Sequence, residues 1–185
     1  IAIFSADWLA HNFGMDVVVA IRNPFAFVGS LASANWSHPF SHFVKQTELM
    51  KLLKPYNAQI REFARQEKPL VQQAVLLWNL IHYRIYQYQE KHHDWHFIRH
   101  EDLSLKPVEK FEALYNVLSI QFTPRIQKKI IALCTVQPDE VLTHTIQRDS
   151  KKNLETWRKR LTDDQIDYVY NETAELRRHF YPEMN

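Results

Sequence analysis

The sequence predicts an α/β domain: a parallel sheet flanked by helices, helix-rich over this stretch. Three observations predict it. Residues 17–21 (VVVAI) are an all-apolar, largely β-branched run, the pattern of a parallel strand buried on both faces. Residues 95–99 (WHFIR) fit a second short strand. Almost everything else carries apolar residues at helical spacing.

Taken in order, residues 5–13 (SADWLAHNF) read as a short helix with Ser5 as its cap. After the first strand come Arg22, Asn23 and Pro24. Asn23 suits an N-cap and Pro24 the first helical position, so 24–35 is expected as helix. Residues 40–54 and 56–67 read as two helices parted by Pro55. Pro69 opens a long pattern over 69–91, with Val71, Ala74, Val75, Trp78, Ile81, His82, Ile85 and Tyr88 on one stripe. The second strand runs into His100-Glu101-Asp102-Leu103-Ser104, read as a loop. Pro107 and Pro124 open two further helices, to about 118 and 134. Residues 136–152 read as mostly irregular and carry Arg148, Lys151 and Lys152. Thr162 and Gln165 form a capping box that starts the last helix, to about 179.

This arrangement has two strands, and a buried parallel sheet of two strands cannot cover itself. Further strands are expected before residue 1, and the start at Ile1 reads as a piece of a longer protein. The whole chain is expected as one incomplete domain. An open sheet edge in such a piece predicts marginal stability or homodimerisation.

Composition excludes several classes. At 45% hydrophobic and 24% charged residues the chain is ordinary globular protein, not disordered. A net charge of +2 gives little whole-molecule attraction to nucleic acid, so any anion site must be local. The two glycines, Gly14 and Gly29, cannot write a G-x-G-x-x-G or a Walker loop. The single cysteine, Cys134, excludes internal disulfides and multi-Cys zinc sites, and reads as a buried inert thiol near a helix end. No run approaches the length of a membrane span, so no membrane insertion is expected; a cytoplasmic location is expected, although the absence of a visible signal peptide says little in a sequence that starts at Ile1.

Ligands of open α/β sheets bind beyond the carboxyl ends of the strands. Arg22-Asn23-Pro24 follows the first strand and His100-Glu101-Asp102 the second. Parallel strands put both on one edge. Arg22 then stands at the start of helix 24–35, where backbone N–H groups, the helix dipole and a guanidinium fork all favour phosphate. Ser30 lies about two turns along, on a similar face.

These residues carry a resemblance to a known family. VVVAIRNPFAFVGSLASANW resembles the 3′-phosphate-binding segment of sulfotransferases that use 3′-phosphoadenylyl sulfate: a strand ending in Arg22, then Pro24 and Ser30. FIRHEDLSLKP resembles the family's later segment, with His100 at the aromatic position that lies near the adenine. NLETWRKRLTDDQIDYVYNETAELRRHFYPE is similar to its C-terminal segment, through Trp157, Arg158, Tyr181 and Pro182. The resemblance spans nearly the whole chain and is closest to the bacterial branch. It implies a P-loop-NTPase-like fold and sulfuryl transfer without a metal. The acceptor would be a hydroxyl or amine, by analogy a carbohydrate or glycolipid. It also implies that Arg22, Ser30, His100 and the basic loop with Arg148, Lys151 and Lys152 hold the donor. The family's phosphosulfate-gripping loop and its usual base fall upstream of Arg22, so no catalytic residue is assigned.

Two other functions remain open: a P-loop-type nucleotide kinase or phosphate-ester enzyme, and a non-catalytic helical interaction module. Trp36, His38 and His42 read as packing and surface residues rather than an acceptor pocket. His92, His93, His96 and His100 share no helical face and read as a fortuitous cluster. Glu101 and Asp102 read as braces of the strand end rather than an acid–base pair.

Overall fold

A computed structural model of the chain describes residues 2–134 and 150–184. The elements, in order, are a 3₁₀ turn (Ala2–Ser5), α1 (Ala6–Phe13), β1 (Val18–Ile21), α2 (Pro24–Ser33), α3 (Ser41–Val44), α4 (Thr47–Leu52), a 3₁₀ turn (Lys54–Tyr56) and α5 (Asn57–Arg65). The long α6 (Leu70–Lys91) leads to β2 (His96–Arg99), α7 (His100–Leu105), α8 (Pro107–Val117) and α9 (Pro124–Cys134). The described chain resumes at α10 (Ser150–Asn153) and a 3₁₀ turn (Thr156–Lys159). It closes with α11 (Asp163–Glu172), α12 (Ala174–Phe180) and a last turn (Pro182–Met184).

The two strands pair in parallel, with Val18 opposite His96 and Ile21 opposite Arg99. Both chains therefore leave the sheet at the same edge, Arg22 on one and His100 on the other. β1 is not buried on both faces, as its apolar run suggested. Val19 and Ile21 pack on α6 and α12, through Trp78, Ile85, Leu176 and Phe180. Val18 and Ala20 are exposed, because among the described residues the helical layer covers the Val19 side.

α6 is the axis of the molecule, about 33 Å long at helical rise. Val71, Ala74, Val75, Trp78, Ile85 and Tyr88 are buried along it, as the 3.6-residue stripe requires. It packs on α2 at one end of the stripe and on β1 and α12 at the other. α1 ends at Gly14, whose φ of 57° closes the helix in the left-handed region that glycine tolerates.

Three helical boundaries differ from the sequence reading, each for a physical reason. Residues 100–104 form α7, not a loop. Glu101 and Asp102 stand in its first turn, where carboxylates complement the helix dipole. The helix expected from 162 to 179 breaks at Thr173, whose hydroxyl donates to the Val169 carbonyl at 2.7 Å. Asn79 meanwhile donates to the Glu172 carbonyl at 2.9 Å and takes it out of the helical ladder. Residues 40–67 are broken more finely than expected, into α3, α4, a turn at Pro55, and α5. Ser5 makes no side-chain cap, whereas the Thr162–Gln165 capping box forms in both directions.

His82 sits in the middle of this core, 2% exposed, its ring stacked on Trp78 at 3.9 Å. Its Nδ1 donates to the Trp78 carbonyl at 2.9 Å. Burial pushes its pKa down to about 3, so the ring is folded in neutral form. The unfolded chain binds a proton near pH 6.5 and the folded one does not, so stability falls as pH drops from 6.5 towards 3. From pH 7 to pH 5 this one group should cost about 2 kcal/mol. Urea unfolding at both pH values should show that loss, and His82→Phe should remove most of it. An identical pH dependence in the variant would refute the assignment.

Candidate anion site at the carboxyl edge of the strands

The site begins with how Arg22 is held. Trp78 Nε1 donates to the Arg22 carbonyl at 2.8 Å, anchoring the backbone where β1 ends. The next residue, Asn23, caps α2, accepting from Phe25 N–H at 2.9 Å and Ala26 N–H at 3.3 Å. This corrects one expectation: those helix-start donors are already used and Pro24 has none, so side chains rather than the helix N-terminus must hold an anion.

The second strand end is tied to the first by Glu101. Its carboxylate accepts from Asn23 N–H at 3.0 Å and from the Tyr181 hydroxyl at 2.8 Å. Tyr181 is buried and its phenol is pushed up, first by burial and then by the neighbouring Glu101 charge, so it stays a donor. Arg99 forks onto Asp102 with two bonds of 3.2 Å, pairs with Glu183, and lies over the Tyr181 ring. Glu101 and Asp102 are thus braces, as the sequence suggested. The carboxylates of this edge are all engaged on the Arg99–Tyr181 side.

What remains on the other side is a cavity of about 210 Å³ lined by Arg22, Ser30, His100, Ser104, Asn153 and Arg160, with Leu133, Ser150 and Thr156 completing the wall. No carboxylate lines it among the described residues. Arg22 makes no ion pair with a described residue, and its Nε is buried without a hydrogen-bond partner. Burial draws the Arg22 pKa down, Arg160 adds to this and Glu101 opposes it. The guanidinium nevertheless stays charged, since arginine titrates far above neutrality. His100 is drawn down by burial and by Arg22, which favours a neutral imidazole at pH 7. Two cations, a neutral imidazole and several hydroxyl or amide groups, with no fixed negative charge among the described residues, suit an anion that brings its own.

Arg22, Ser30 and His100, singled out from the sequence, meet in this cavity. Of the basic loop, Arg148 lies outside the described residues, as does the Lys152 side chain. Lys151 is exposed on α10 and is not part of the wall, which α10 reaches through Ser150 and Asn153. Arg158 is exposed, paired with Glu155 and lying over the Trp157 ring, away from the cavity. Sequence reasoning missed Ser104, Asn153 and Arg160. A signal for Arg160 did exist: in a 3₁₀ turn the residue three after buried Trp157 falls on the same side.

Elsewhere, His38 packs against the rings of Trp36, Phe40, His42 and Phe43 and lies between cavities of about 410 and 250 Å³. Cys134 is half-buried at the end of α9 with a free thiol. Among the described residues no group of His, Cys, Asp and Glu could hold a metal ion, and no helix is long and apolar enough to cross a membrane. His92 contacts Asp7 and stacks on Trp95 at 4.0 Å, which disperses the histidine cluster. No family model, curated protein or solved structure matches the chain. The class that fold and site define is therefore a helix-rich α/β protein with a two-stranded parallel sheet and a cationic cavity at its carboxyl edge.

Proposed function

We propose that this chain carries the 3′-phosphate half of a donor site for 3′-phosphoadenylyl sulfate, and so serves a sulfotransferase. The observation that carries the reading is the cavity's makeup among the described residues: Arg22 without an ion pair, Ser30, His100 and Arg160 around it, and no carboxylate. The order of segments resembling that family supports it independently. Arg22 would fork onto the 3′-phosphate, Ser30 would donate its hydroxyl to the same group, and neutral His100 would lie beside the nucleoside.

In the reaction, an acceptor hydroxyl oxygen bonds to sulfur as the bond from sulfur to the bridging oxygen breaks, and the acceptor proton is lost. The second product is adenosine 3′,5′-bisphosphate. As in phosphoryl transfer, the protein contributes mainly positioning and charge stabilisation. The residues named here bind and orient the donor. The acceptor proposed is a carbohydrate or glycolipid hydroxyl.

Calorimetric titration tests the reading. Adenosine 3′,5′-bisphosphate should bind at least tenfold more tightly than 5′-AMP, which lacks the 3′-phosphate, and more tightly than ATP. Equal affinity for the bisphosphate and 5′-AMP would refute a 3′-phosphate site. Preference for ATP would point to nucleotide kinase chemistry instead.

A further inference from the structure

We infer that Arg160 is the second cation of the phosphate site and that Gly29, which touches no ligand, is the residue that positions it. The inference rests on the donor-site reading above and extends it to two residues to which the sequence resemblance gives no role.

The geometry is a clasp between α2 and the turn Thr156–Lys159. Trp157 is buried and stacks on Phe25 of α2, ring centres 4.7 Å apart. Gly29 faces the same turn. A Cβ on Gly29 would lie 3.1 Å from Trp157 Cβ, 3.3 Å from Trp157 Cα and 3.7 Å from Arg160 Cβ. The two Trp157 distances are tighter than ordinary contacts, so a Cβ at this position would displace the Trp157 turn by a few tenths of an ångström, and glycine lets the two backbones approach this closely. Arg160 then closes the turn, its N–H donating to the Trp157 carbonyl at 2.9 Å, and its side chain reaches the cavity wall that Ser30, next to Gly29, also lines. Arg160 makes no ion pair with a described residue, and its charge acts on Arg22. Two like charges converging on one small cavity repel each other, and a bound dianion reverses that cost. The class of ligand is accordingly a phosphate monoester, which carries close to two charges at neutral pH.

The test is a double-mutant cycle read by calorimetric titration with adenosine 3′,5′-bisphosphate, with Arg22→Ala as reference and thermal melts as a folding control. Arg160→Gln should weaken binding roughly tenfold, as loss of a charge-assisted contact does. Gly29→Ala should weaken it several-fold while leaving the melt in place, because alanine favours the helix and only the clasp is disturbed. In the Arg160→Gln background, Gly29→Ala should cost nothing further. Unchanged affinity in Arg160→Gln, with Arg22→Ala still impaired, would overturn this inference and leave the donor site standing. A full additional loss from Gly29→Ala in the double variant would remove Gly29 as the positioning residue. Absence of bisphosphate binding by the wild-type chain would overturn both readings.

Discussion

Arg22→Ala should raise the dissociation constant for adenosine 3′,5′-bisphosphate by roughly 30- to 150-fold, the equivalent of about 2–3 kcal/mol for a desolvated charge-assisted contact. The size follows from the surroundings. Arg22 is partly buried, its Nε has no partner, and the nearby Glu101 carboxylate is already shared between Asn23 N–H and the Tyr181 hydroxyl. Among the described residues nothing neutralises that charge, which leaves it available to a bound anion. Arg22→Lys should recover only part of the loss, since an ammonium cannot reproduce the planar fork. The same variant should leave 5′-AMP affinity almost unchanged. Arg22→Ala binding the bisphosphate as well as wild type would remove Arg22 from the site.

Trp78→Ala should lower the unfolding free energy by about 3–5 kcal/mol, the range for emptying a large aromatic site. Trp78 has no exposed surface, stacks on His82, and packs with Val19, Ile21, Phe180 and Tyr181. It also holds the Arg22 carbonyl through its indole N–H. Trp78→Phe separates these roles. It fills most of the volume but cannot donate, so it should cost only about 1–2 kcal/mol of stability while weakening bisphosphate binding. Urea unfolding and titration on the same samples check both. If Trp78→Phe bound the bisphosphate like wild type, the indole hydrogen bond would have no part in aligning Arg22.

The elements whose signals are local were legible in the sequence. The stripe of α6 from Val71 to Tyr88 follows from its period, and the start of α2 from Asn23-Pro24. The Thr162–Gln165 capping box needs only four consecutive residues, and it forms. Thr173 was not legible as a helix break, because part of the break is made by Asn79 on another helix. Nor was α7, where residues read as a loop become helical once Glu101 finds Asn23 and Tyr181. The exposed side of β1 was misread for a related reason: an apolar run states what a strand can bury, not what lies beside it.

The candidate site divides the same way. The sequence by itself determined that a strand ends in Arg22, that a capped helix follows with Ser30 along it, and that His100 follows a second strand. Parallel pairing of the two strands turned those separate positions into one edge. Only the tertiary structure decided that Arg160 joins them, through the close approach at Gly29, and that Arg158 and Lys151 do not. Among the described residues it also decided the sign of the cavity wall, by drawing Asp102 and Glu183 to Arg99 and Glu101 to Asn23 and Tyr181. The physical reason is range. Caps and periods act over a few residues, whereas charge balance in a cavity sums over groups that folding alone brings together.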